Sequence, residues 1–238
     1  MTAETEPLSW APDLRTGSPP HHVDWPIHSE VNGAGRGARA RARAGDRLHR
    51  PRTLGGMTSV HLLHAGYATD RVGSSIVLVR DGDALIVVDP GMVASRARIL
   101  DPLRELGVAP EAVTHVFLSH HHPDHTVNIA LFENAEVVDF WARYKDDLWL
   151  DHDGDGYRLG PRSTLWLTPG HTDEDASLIV EADDATYAMT HLWWREDRTP
   201  EVDPLGRDQA KIDAGRARIL AAADIVIPGH GGAFRVRG

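Results

Sequence analysis

Four histidines and one aspartate fall within six consecutive residues near the middle of this 238-residue chain. The segment reads Ser119-His120-His121-His122-Pro123-Asp124-His125 and directly follows an apolar run over residues 113–118. Imidazoles this close repel one another when protonated, and they cannot all be satisfied in a dry core. A divalent metal resolves both difficulties, because neutral imidazole is a good ligand for zinc and related ions. The spacing His120-x-His122-x-Asp124-His125 therefore favours a metal site over a solvated polyhistidine loop.

Three more histidines, His171, His191 and His230, each stand just past the end of an apolar run, and two of them occur in Pro-Gly-His. In layered α/β folds, the strand ends of one edge gather into a common crevice, so ligands distant in sequence can converge there. A single histidine after a strand is usually a surface residue or a satisfied core residue. Three of them beside the central cluster predict that all three join one metal centre.

Composition narrows the chemistry available to this chain. Cysteine is absent, which excludes disulfides, thiolate zinc sites and a cysteine nucleophile, so any metal must be held by His, Asp or Glu. The net charge of -10 argues against a surface that coats nucleic acid. No apolar run approaches 18 residues and the acidic amino terminus lacks the apolar core of a signal peptide, so we expect a cytoplasmic protein that does not enter a membrane.

The first 56 residues differ from the rest of the chain. They are rich in Pro, Gly and Arg, show no helical or strand period, and carry 8 Lys/Arg against 6 Asp/Glu, which leaves a net charge of -12 on residues 57–238. Their sparse apolar residues cannot offset the entropy of ordering. We therefore predict a disordered leader over 1–56, with Met57 as an alternative start, and a folded domain over 57–238. The competing interpretation is a basic arm that binds nucleic acid.

From residue 57 onward the pattern is that of an α/β domain. Apolar runs predict strands near residues 60–63, 74–79, 84–89, 113–118, 135–138, 163–168, 177–181, 186–190 and 224–227. Helical spacing predicts helices near 95–106, 126–132 and 208–222, with Asp101-Pro102 marking a new first turn. The aromatic-rich segment 140–150 receives no assignment.

Residues 57–236 resemble the metallo-β-lactamase superfamily, on the His-x-His-x-Asp-His segment, the strand ending in Val-Asp-Pro-Gly and the two Pro-Gly-His motifs. The resemblance implies an α/β fold with four layers, the αβ/βα sandwich. It assigns the first metal to His120, His122 and His171. It assigns the second metal to Asp124, His125 and His230. It also implies that Asp89, which ends its strand before Pro90-Gly91, is a buried support near the metals rather than a ligand.

This chain departs from the family pattern at residue 191. It has Thr190-His191 where the family usually has Gly-Asp, whose carboxylate bridges both metals. A neutral imidazole offers one lone pair and no charge, so two divalent ions at roughly 3.5–4 Å would have one fewer anion between them. We therefore expect one tightly bound zinc and a second that is weaker or absent. His191 either ligates a single metal or points away from the metals.

The resemblance implies a zinc-dependent hydrolase that uses a metal-bound hydroxide, with Asp124 as the catalytic residue that orients the hydroxide or accepts its proton. We expect the substrate to be a small ester, thioester or lactone. The substrate pocket could be lined by Trp193, Trp194 and Arg195, with Arg195 pairing a substrate carboxylate. The alternative is that these three residues pack in the core or in a lid.

Three alternatives stay open at this point. A compact metal-dependent ribonuclease is disfavoured by the acidic domain, because phosphodiester backbones prefer basic grooves. A mononuclear iron oxygenase on the same fold would need two His and one carboxylate, which this chain can supply. The third alternative is a binding module that has lost catalysis, and the replacement of the family's bridging Asp by His191 would be the sign of that loss. The sequence contains no information on the oligomeric state.

Overall fold

Two β-sheets that pack face to face position every predicted metal ligand. The computed structural model describes residues 57–195 and 200–236, which belong to the compact unit Pro51–Gly238. The predicted leader over residues 1–56 lies outside the described residues. In chain order the strands are β1 (Ser59–His64), β2 (Tyr67–Ala68), β3 (Val72–Gly73), β4 (Ile76–Asp81), β5 (Ala84–Val88), β6 (His115–Phe117), β7 (Glu136–Val138), β8 (Ala142–Lys145), β9 (Leu148–Asp151), β10 (Arg158–Gly160), β11 (Ser163–Leu167), β12 (Ala176–Glu181), β13 (Thr186–Thr190), β14 (Ile225–Pro228) and β15 (Phe234–Arg235).

The described helices are few, and they lie between these strands. They are α1 (Ala97–Glu105), α2 (Pro123–Thr126) and α3 (Gln209–Ala222), with single 3-10 turns at Pro110–Ala112 and Ile129–Leu131. The Asp208 side chain caps the amino end of α3 by accepting from the backbone N–H of Lys211. Within the described residues, none of these helices has the length and apolar character needed to cross a membrane.

The first sheet has seven strands in the order β1-β4-β5-β6-β7-β8-β9, and β5, β6 and β7 run parallel. Their register aligns Val88 with Phe117 and Phe117 with Val138. The three parallel strands therefore end at the same level. The residues that follow them, including the predicted support Asp89 and the histidine-rich segment, emerge at one edge of the sheet.

The second sheet has six strands in the order β10 to β15, and its only parallel pair is β13 with β14. In that pair Thr190 lies opposite Pro228. Because parallel strands in register end together, His191 and the Gly229-His230 dipeptide leave the second sheet side by side. Register therefore brings together residues that are almost 40 positions apart in sequence.

Three apolar clusters give this domain its layers. The largest joins the facing surfaces of the two sheets, with Val77, Val88 and Phe117 from the first and Leu178 and Met189 from the second. The second cluster packs Ile99 and Leu103 of α1 on the outer face of the first sheet. The third packs Ile212 and Ile219 of α3 on the outer face of the second sheet. This order of helix, sheet, sheet and helix confirms the predicted αβ/βα sandwich.

The structure corrects the predicted helix boundaries. Pro102 lies inside the continuous helix α1 and starts no new turn. Ile99 and Leu103 are four residues apart on one face, and their complete burial stabilises a single helix despite the lost hydrogen bond. The predicted helix over 126–132 is instead α2 followed by a 3-10 turn. It is interrupted because Asn128 donates its backbone N–H and its amide to the carbonyls of Pro90 and Gly91.

The aromatic segment over residues 140–150 forms a hairpin of β8 and β9 at the edge of the first sheet. Asp146 adopts a φ of 54° in the tight turn, a conformation that Asp tolerates better than most residues. Tyr144 and Trp149 face each other across the hairpin with ring centroids 4.7 Å apart. Cross-strand aromatic pairs of this kind stabilise an antiparallel ladder, which the alternation in this short segment did not reveal.

Candidate metal centre

Seven side chains from both sheets meet at the common edge of the sandwich. They form three overlapping groups, and within each group the potential ligand atoms lie within 4.8 Å of one another. The groups are His120, His122 and His171; then Asp124, His125 and His230; and finally His120, His125 and His191. Every residue that the sequence analysis assigned to metal is therefore present in at least one group.

The first group combines the loop after β6 with the loop that follows β11. The Nε2 atom of His120 lies 2.9 Å from Nδ1 of His122, and Nε2 of His171 lies 3.3 Å from the same Nδ1 atom. His120 and His171 are buried, whereas His122 is exposed. Three imidazole nitrogens converge here, and the group opens to solvent on the side of His122.

The second group combines α2 with the segment after β14. The Asp124 carboxylate has its Oδ2 atom 3.5 Å from Nε2 of His125 and 3.6 Å from Nε2 of His230. His125 is completely buried, and the Asp124 side chain is 15% exposed. Asp124 therefore joins a buried pair of imidazoles while keeping one side open to solvent.

His191 lies between the two groups. Its Nε2 atom is 3.0 Å from Nε2 of His230, and its ring stacks on that of His171 with centroids 4.2 Å apart. The ring has room because residue 229 is glycine: a Cβ there would lie 2.5 Å from Cδ2 of His191. The structure thus places His191 among the histidines of the candidate ligand groups and does not turn it away from them.

The donor set fits a divalent metal. Nε2 of His125 and Nδ1 of His191 are buried and lack a hydrogen-bond partner in the described part of the chain. A buried polar atom without a partner costs about 1–3 kcal/mol. Coordination to a metal ion would remove that cost. With no cysteine in the chain, the available ligands are imidazole nitrogen and carboxylate oxygen, which suit zinc and iron alike.

Asp89 holds the loop that carries the ligands. Its Oδ1 atom accepts from the backbone N–H of Ser119, and its Oδ2 atom accepts from the Ser119 hydroxyl and lies 2.9 Å from Nδ1 of His125. The backbone of Asp89 has a φ of 48°, which aims this buried carboxylate across the parallel strands. An imidazole held in this way can present its other nitrogen to a metal, and Asp89 itself joins no ligand group.

Asp203 is a second support that the sequence analysis missed. Its Oδ2 atom lies 2.9 Å from Nδ1 of His171 and accepts from Nε1 of Trp194 at 3.0 Å. Burial alone would raise the pKa of Asp203, but hydrogen bonds from Leu205, His171 and Trp194 hold that pKa below its ordinary value. Asp203 lies in a loop without a motif or a strand end, so nothing in the sequence marked it.

Electrostatics keep the central imidazoles neutral. Burial, followed by repulsion from neighbouring imidazoles, lowers the pKa of His120 and His191 well below the ordinary value. Burial also lowers the pKa of His171, and it lowers the pKa of His230 to about 4. Neutral imidazole is the form that binds metal, so these side chains need not lose a proton near pH 7.

His121 turns away from the three groups although it lies between two of their members. Its Nε2 atom is 2.9 Å from Oδ2 of the buried Asp139, and its ring stacks on Trp141. The hydrogen bond to Asp139 raises the pKa of His121 above its usual range. His121 therefore provides a matched non-ligand for comparison with His122.

The three residues predicted to line a substrate pocket, Trp193, Trp194 and Arg195, lie in different environments. Trp194 lies beside the centre, with its ring centroid 6.3 Å from those of His171 and His230. Trp193 packs instead on Phe234, with Arg216 over its ring, in the cluster on the outer face of the second sheet. Arg195 is exposed. Neighbouring residues alternate direction where the chain leaves a strand, so only one of the two tryptophans can face the metals.

A cleft of about 490 Å³ opens directly on the first group. Its walls are His122, His171, Thr172, Glu174, Leu205, Gly206 and Arg207. The cleft is large enough for a small organic molecule. It offers one carboxylate, Glu174, and one guanidinium, Arg207, together with two imidazoles and apolar surface from Leu205.

Known proteins share this sequence pattern over most of the chain. The family model of the metallo-beta-lactamase superfamily matches residues 69–234. The metallo-beta-lactamase domain-containing protein 1 of Xenopus laevis is 36% identical over 191 residues, covering 75% of this chain and 82% of the relative. The human protein of the same name is 32% identical over 241 residues, covering 98% of this chain and 88% of the relative.

Solved structures share the fold at lower identity. AidC, a dizinc quorum-quenching lactonase in complex with a product, has a TM-score of 0.51 at 19% identity, covering 66% of this chain and 72% of the other. The di-iron-bound form of TTHA1623 has a TM-score of 0.56 at 19% identity, covering 73% and 94%. Together with the family match and the relatives, these findings show that the chain belongs to the metallo-beta-lactamase superfamily and is a metal-dependent hydrolase.

Proposed function

We propose that this protein is a zinc-dependent hydrolase of a small ester, thioester or lactone. The observation that carries the proposal is the convergence of six imidazoles and one carboxylate at a sheet edge, beside a cleft of about 490 Å³. A structural zinc site is closed by four ligands, whereas a catalytic site keeps a position open to solvent. Exposed His122 and partly exposed Asp124 give this centre its open side.

The proposed roles follow from the geometry. His120, His122 and His171 would hold the first metal, and Asp124, His125 and His230 the second. A bound zinc ion lowers the pKa of a coordinated water towards ~7 and polarises a carbonyl oxygen. The Oδ2 atom of Asp124, on the open side of the buried His125 and His230, would orient that water and accept its proton.

Charge supports a small carbonyl substrate over RNA. Residues 57–238 carry a net charge of -12, and the acid Glu174 lines the cleft beside His122 and His171. Arg207 is the only Arg or Lys in this cleft and is offset by Glu174, whereas nucleic-acid affinity depends on several Lys and Arg contacts to phosphates. The lactonase with the same fold acts on a small molecule that also contains an ester carbonyl.

His191 supports unequal occupancy of the two metal positions. Its neutral imidazole stands between the groups and supplies no negative charge to offset two divalent ions. The chain would therefore hold one zinc tightly and a second more weakly. A solved relative in fold carries two irons, so metal analysis of protein purified without added metal is the first measurement to make.

The activity test is a screen of zinc-loaded protein against lactones, thioesters, simple esters, phosphodiesters and β-lactams. We expect turnover of at least one carbonyl substrate, lost in His122→Ala and retained in His121→Ala. These two variants remove neighbouring imidazoles, but only His122 belongs to a ligand group. Turnover confined to phosphodiesters would overturn the substrate class. Oxygen consumption by iron-loaded protein, without hydrolysis by the zinc form, would overturn the reaction class.

A further inference from the structure

A second polar cavity lies outside the metal centre, between the β2–β3 hairpin and the start of α1. It has a volume of about 350 Å³ and is lined by His64, Tyr67, Thr69, Arg71, Ala94 and Arg98. A larger hollow of about 530 Å³ shares Tyr67, Thr69, Arg71 and Ala94 with it and extends to Met92 and Val93. We call the two together the arginine cavity. It contains none of the metal-site residues.

The two arginines of this cavity, Arg71 and Arg98, are exposed to solvent. Neither guanidinium has an ion pair or a hydrogen bond with any described residue, so both are available to a ligand. The domain has a net charge of -12, so acidic partners are abundant elsewhere on it. The only acid lining either part of the cavity is Asp70, which already accepts from the Thr69 hydroxyl at 2.9 Å. Two cations thus face one pocket without a matching pair of anions.

Two further features border this pocket, the start of helix α1 and the side chain of His64. Helix α1 begins here and has no acidic residue in its first turn, so the positive end of its dipole is not offset by an acid of its own. Ser95 satisfies part of this end, because its hydroxyl accepts from the N–H of Ala97 and its carbonyl accepts from the N–H of Arg98. Nε2 of His64 is buried without a partner, and burial followed by the charge of Arg98 lowers the pKa of this imidazole. Because the His64 ring is neutral, it adds no third positive charge beside the two guanidinium groups.

We infer that the arginine cavity binds a small oxyanion, either the carboxylate or the phosphate group of a small molecule. A planar guanidinium donates two parallel hydrogen bonds to two oxygens of such a group, and two guanidinium groups can hold it from two sides. The volume of about 350 Å³ accommodates a group of this size with a short organic remainder. The inference does not rest on the zinc chemistry proposed above.

The cavity walls are tied to the metal centre through the backbone. The carbonyl of Gly73, at the end of the β2–β3 hairpin, accepts from Nδ1 of His230 at 3.1 Å. The N–H of Met92 donates to the carbonyl of Asp124 at 3.0 Å. An anion that orders the hairpin and the Met92 loop would therefore also steady two residues of the second ligand group.

Calorimetric titration of the metal-loaded full chain tests the inference, with inorganic phosphate and glutarate as probes. We expect Arg71→Gln and Arg98→Gln each to raise the dissociation constant of the preferred probe about tenfold, equivalent to ~1.4 kcal/mol. Arg104→Gln is the matched control, since Arg104 also lies on α1 but is paired with Asp101 at 2.9 Å. It should leave the affinity unchanged.

The two probes distinguish the sources of the oxyanion, because phosphate and carboxylate are titrated separately against the same variants. Phosphate also binds metal ions, but neither Arg71 nor Arg98 belongs to a ligand group, so a change of affinity in their variants reports on the arginine cavity. Equal affinities in the unmodified protein and in both arginine variants would therefore overturn the inference. So would an absence of binding by either probe. Far-UV circular dichroism confirms that each variant keeps its fold, since both arginines are exposed.

Discussion

The Nε2 atoms of His191 and His230 lie 3.0 Å apart at the meeting point of the two ligand groups. Parallel pairing of β13 with β14, and the glycine at residue 229, bring these two rings together. Two neutral imidazoles at this distance share one hydrogen bond, which leaves the buried Nδ1 lone pair of His191 available to a metal. Neither supplies negative charge. This relationship is the basis of our expectations for metal content.

The unmodified protein should bind nearer one zinc than two per chain at low micromolar free metal. His191→Asp introduces an anion between the two positions and should raise the affinity of the second position at least tenfold, or ~1.4 kcal/mol. Calorimetric titration combined with metal analysis measures both quantities. Two tightly bound zinc ions in the unmodified protein, unaffected by His191→Ala, would contradict this expectation.

His122→Ala should release the tighter zinc and abolish hydrolysis. His122 supplies the nitrogen that lies 2.9 Å from His120 and 3.3 Å from His171, so its loss opens the first group. His121→Ala should keep the metal, because His121 binds Asp139 instead. Metal analysis after gel filtration compares the two variants directly. Equal zinc loss in both would remove His122 from the ligand set.

Asp203→Asn should weaken zinc binding by about 10–100-fold, the usual effect of removing a partner that orients a ligand histidine. The carboxylate holds Nδ1 of His171 at 2.9 Å, and an amide at this position cannot stabilise the same charge distribution. Asp146→Asn is the control, since Asp146 is exposed in the turn between β8 and β9 and belongs to no ligand group. Competition with a chromogenic chelator gives both affinities. An unchanged affinity in Asp203→Asn would show that His171 needs no such partner.

Gly229→Ala should displace the His191 ring, because the new Cβ would lie 2.5 Å from its Cδ2 atom. A well-packed interior accommodates extra volume at a cost of about 1–3 kcal/mol. The double substitution Gly229→Ala with His191→Ala removes the obstructing ring and should recover most of that stability. Chemical denaturation of the single and double variants measures the recovery. An additive loss in the double variant would show that the two residues do not meet.

The metal-free protein should lose stability as the pH falls below about 6.5. Burial lowers the pKa of His230 to about 4 in the folded state, so between pH 4 and 6.5 the unfolded chain binds more protons at this residue. Stability therefore rises with pH across that window, by up to ~1.4 kcal/mol per pH unit for each such histidine.

His120, His171 and His191 act in the same direction, because burial lowers their pKa values as well. His121 acts in the opposite direction, since its pKa is raised by Asp139 and its contribution is lost as pH rises. Urea unfolding of chelator-treated protein at pH 5 and pH 7 measures the net slope, and His230→Gln should flatten it. A stability that is equal or higher at pH 5 would contradict the prediction.

Most residues of the three candidate ligand groups could be predicted because their signal is local. The spacing His120-x-His122-x-Asp124-His125 places four potential ligands on one loop and the short helix α2. These four side chains are therefore close together whatever the rest of the fold is. Most of the buried strands could be predicted for a similar reason, since their runs of Val, Ile and Leu are contiguous in sequence. The pairing of Asp89 with Ser119 and His125 needed the parallel register of β5 and β6 as well.

The boundaries of the helices, the supporting carboxylate of Asp203 and the hairpin of β8 and β9 could not be predicted from the sequence. Whether Pro102 ends a helix depends on Ile99 and Leu103 packing together on the first sheet, which is a tertiary interaction. Asp203 was missed because a carboxylate in an irregular loop has no period or spacing that relates it to His171. The aromatic hairpin of β8 and β9 was missed because its pairs form across strands.

The sequence by itself determined which atoms are available to a metal and that they follow strand ends, because side-chain chemistry and apolar periodicity are local properties of the chain. Only the tertiary structure decided that His191 stands between the two ligand groups, that Trp194 faces them and that Trp193 does not. These outcomes depend on strand register and on the space left by Gly229. Register and packing arise from contacts between residues far apart in sequence, which no spacing along the chain encodes.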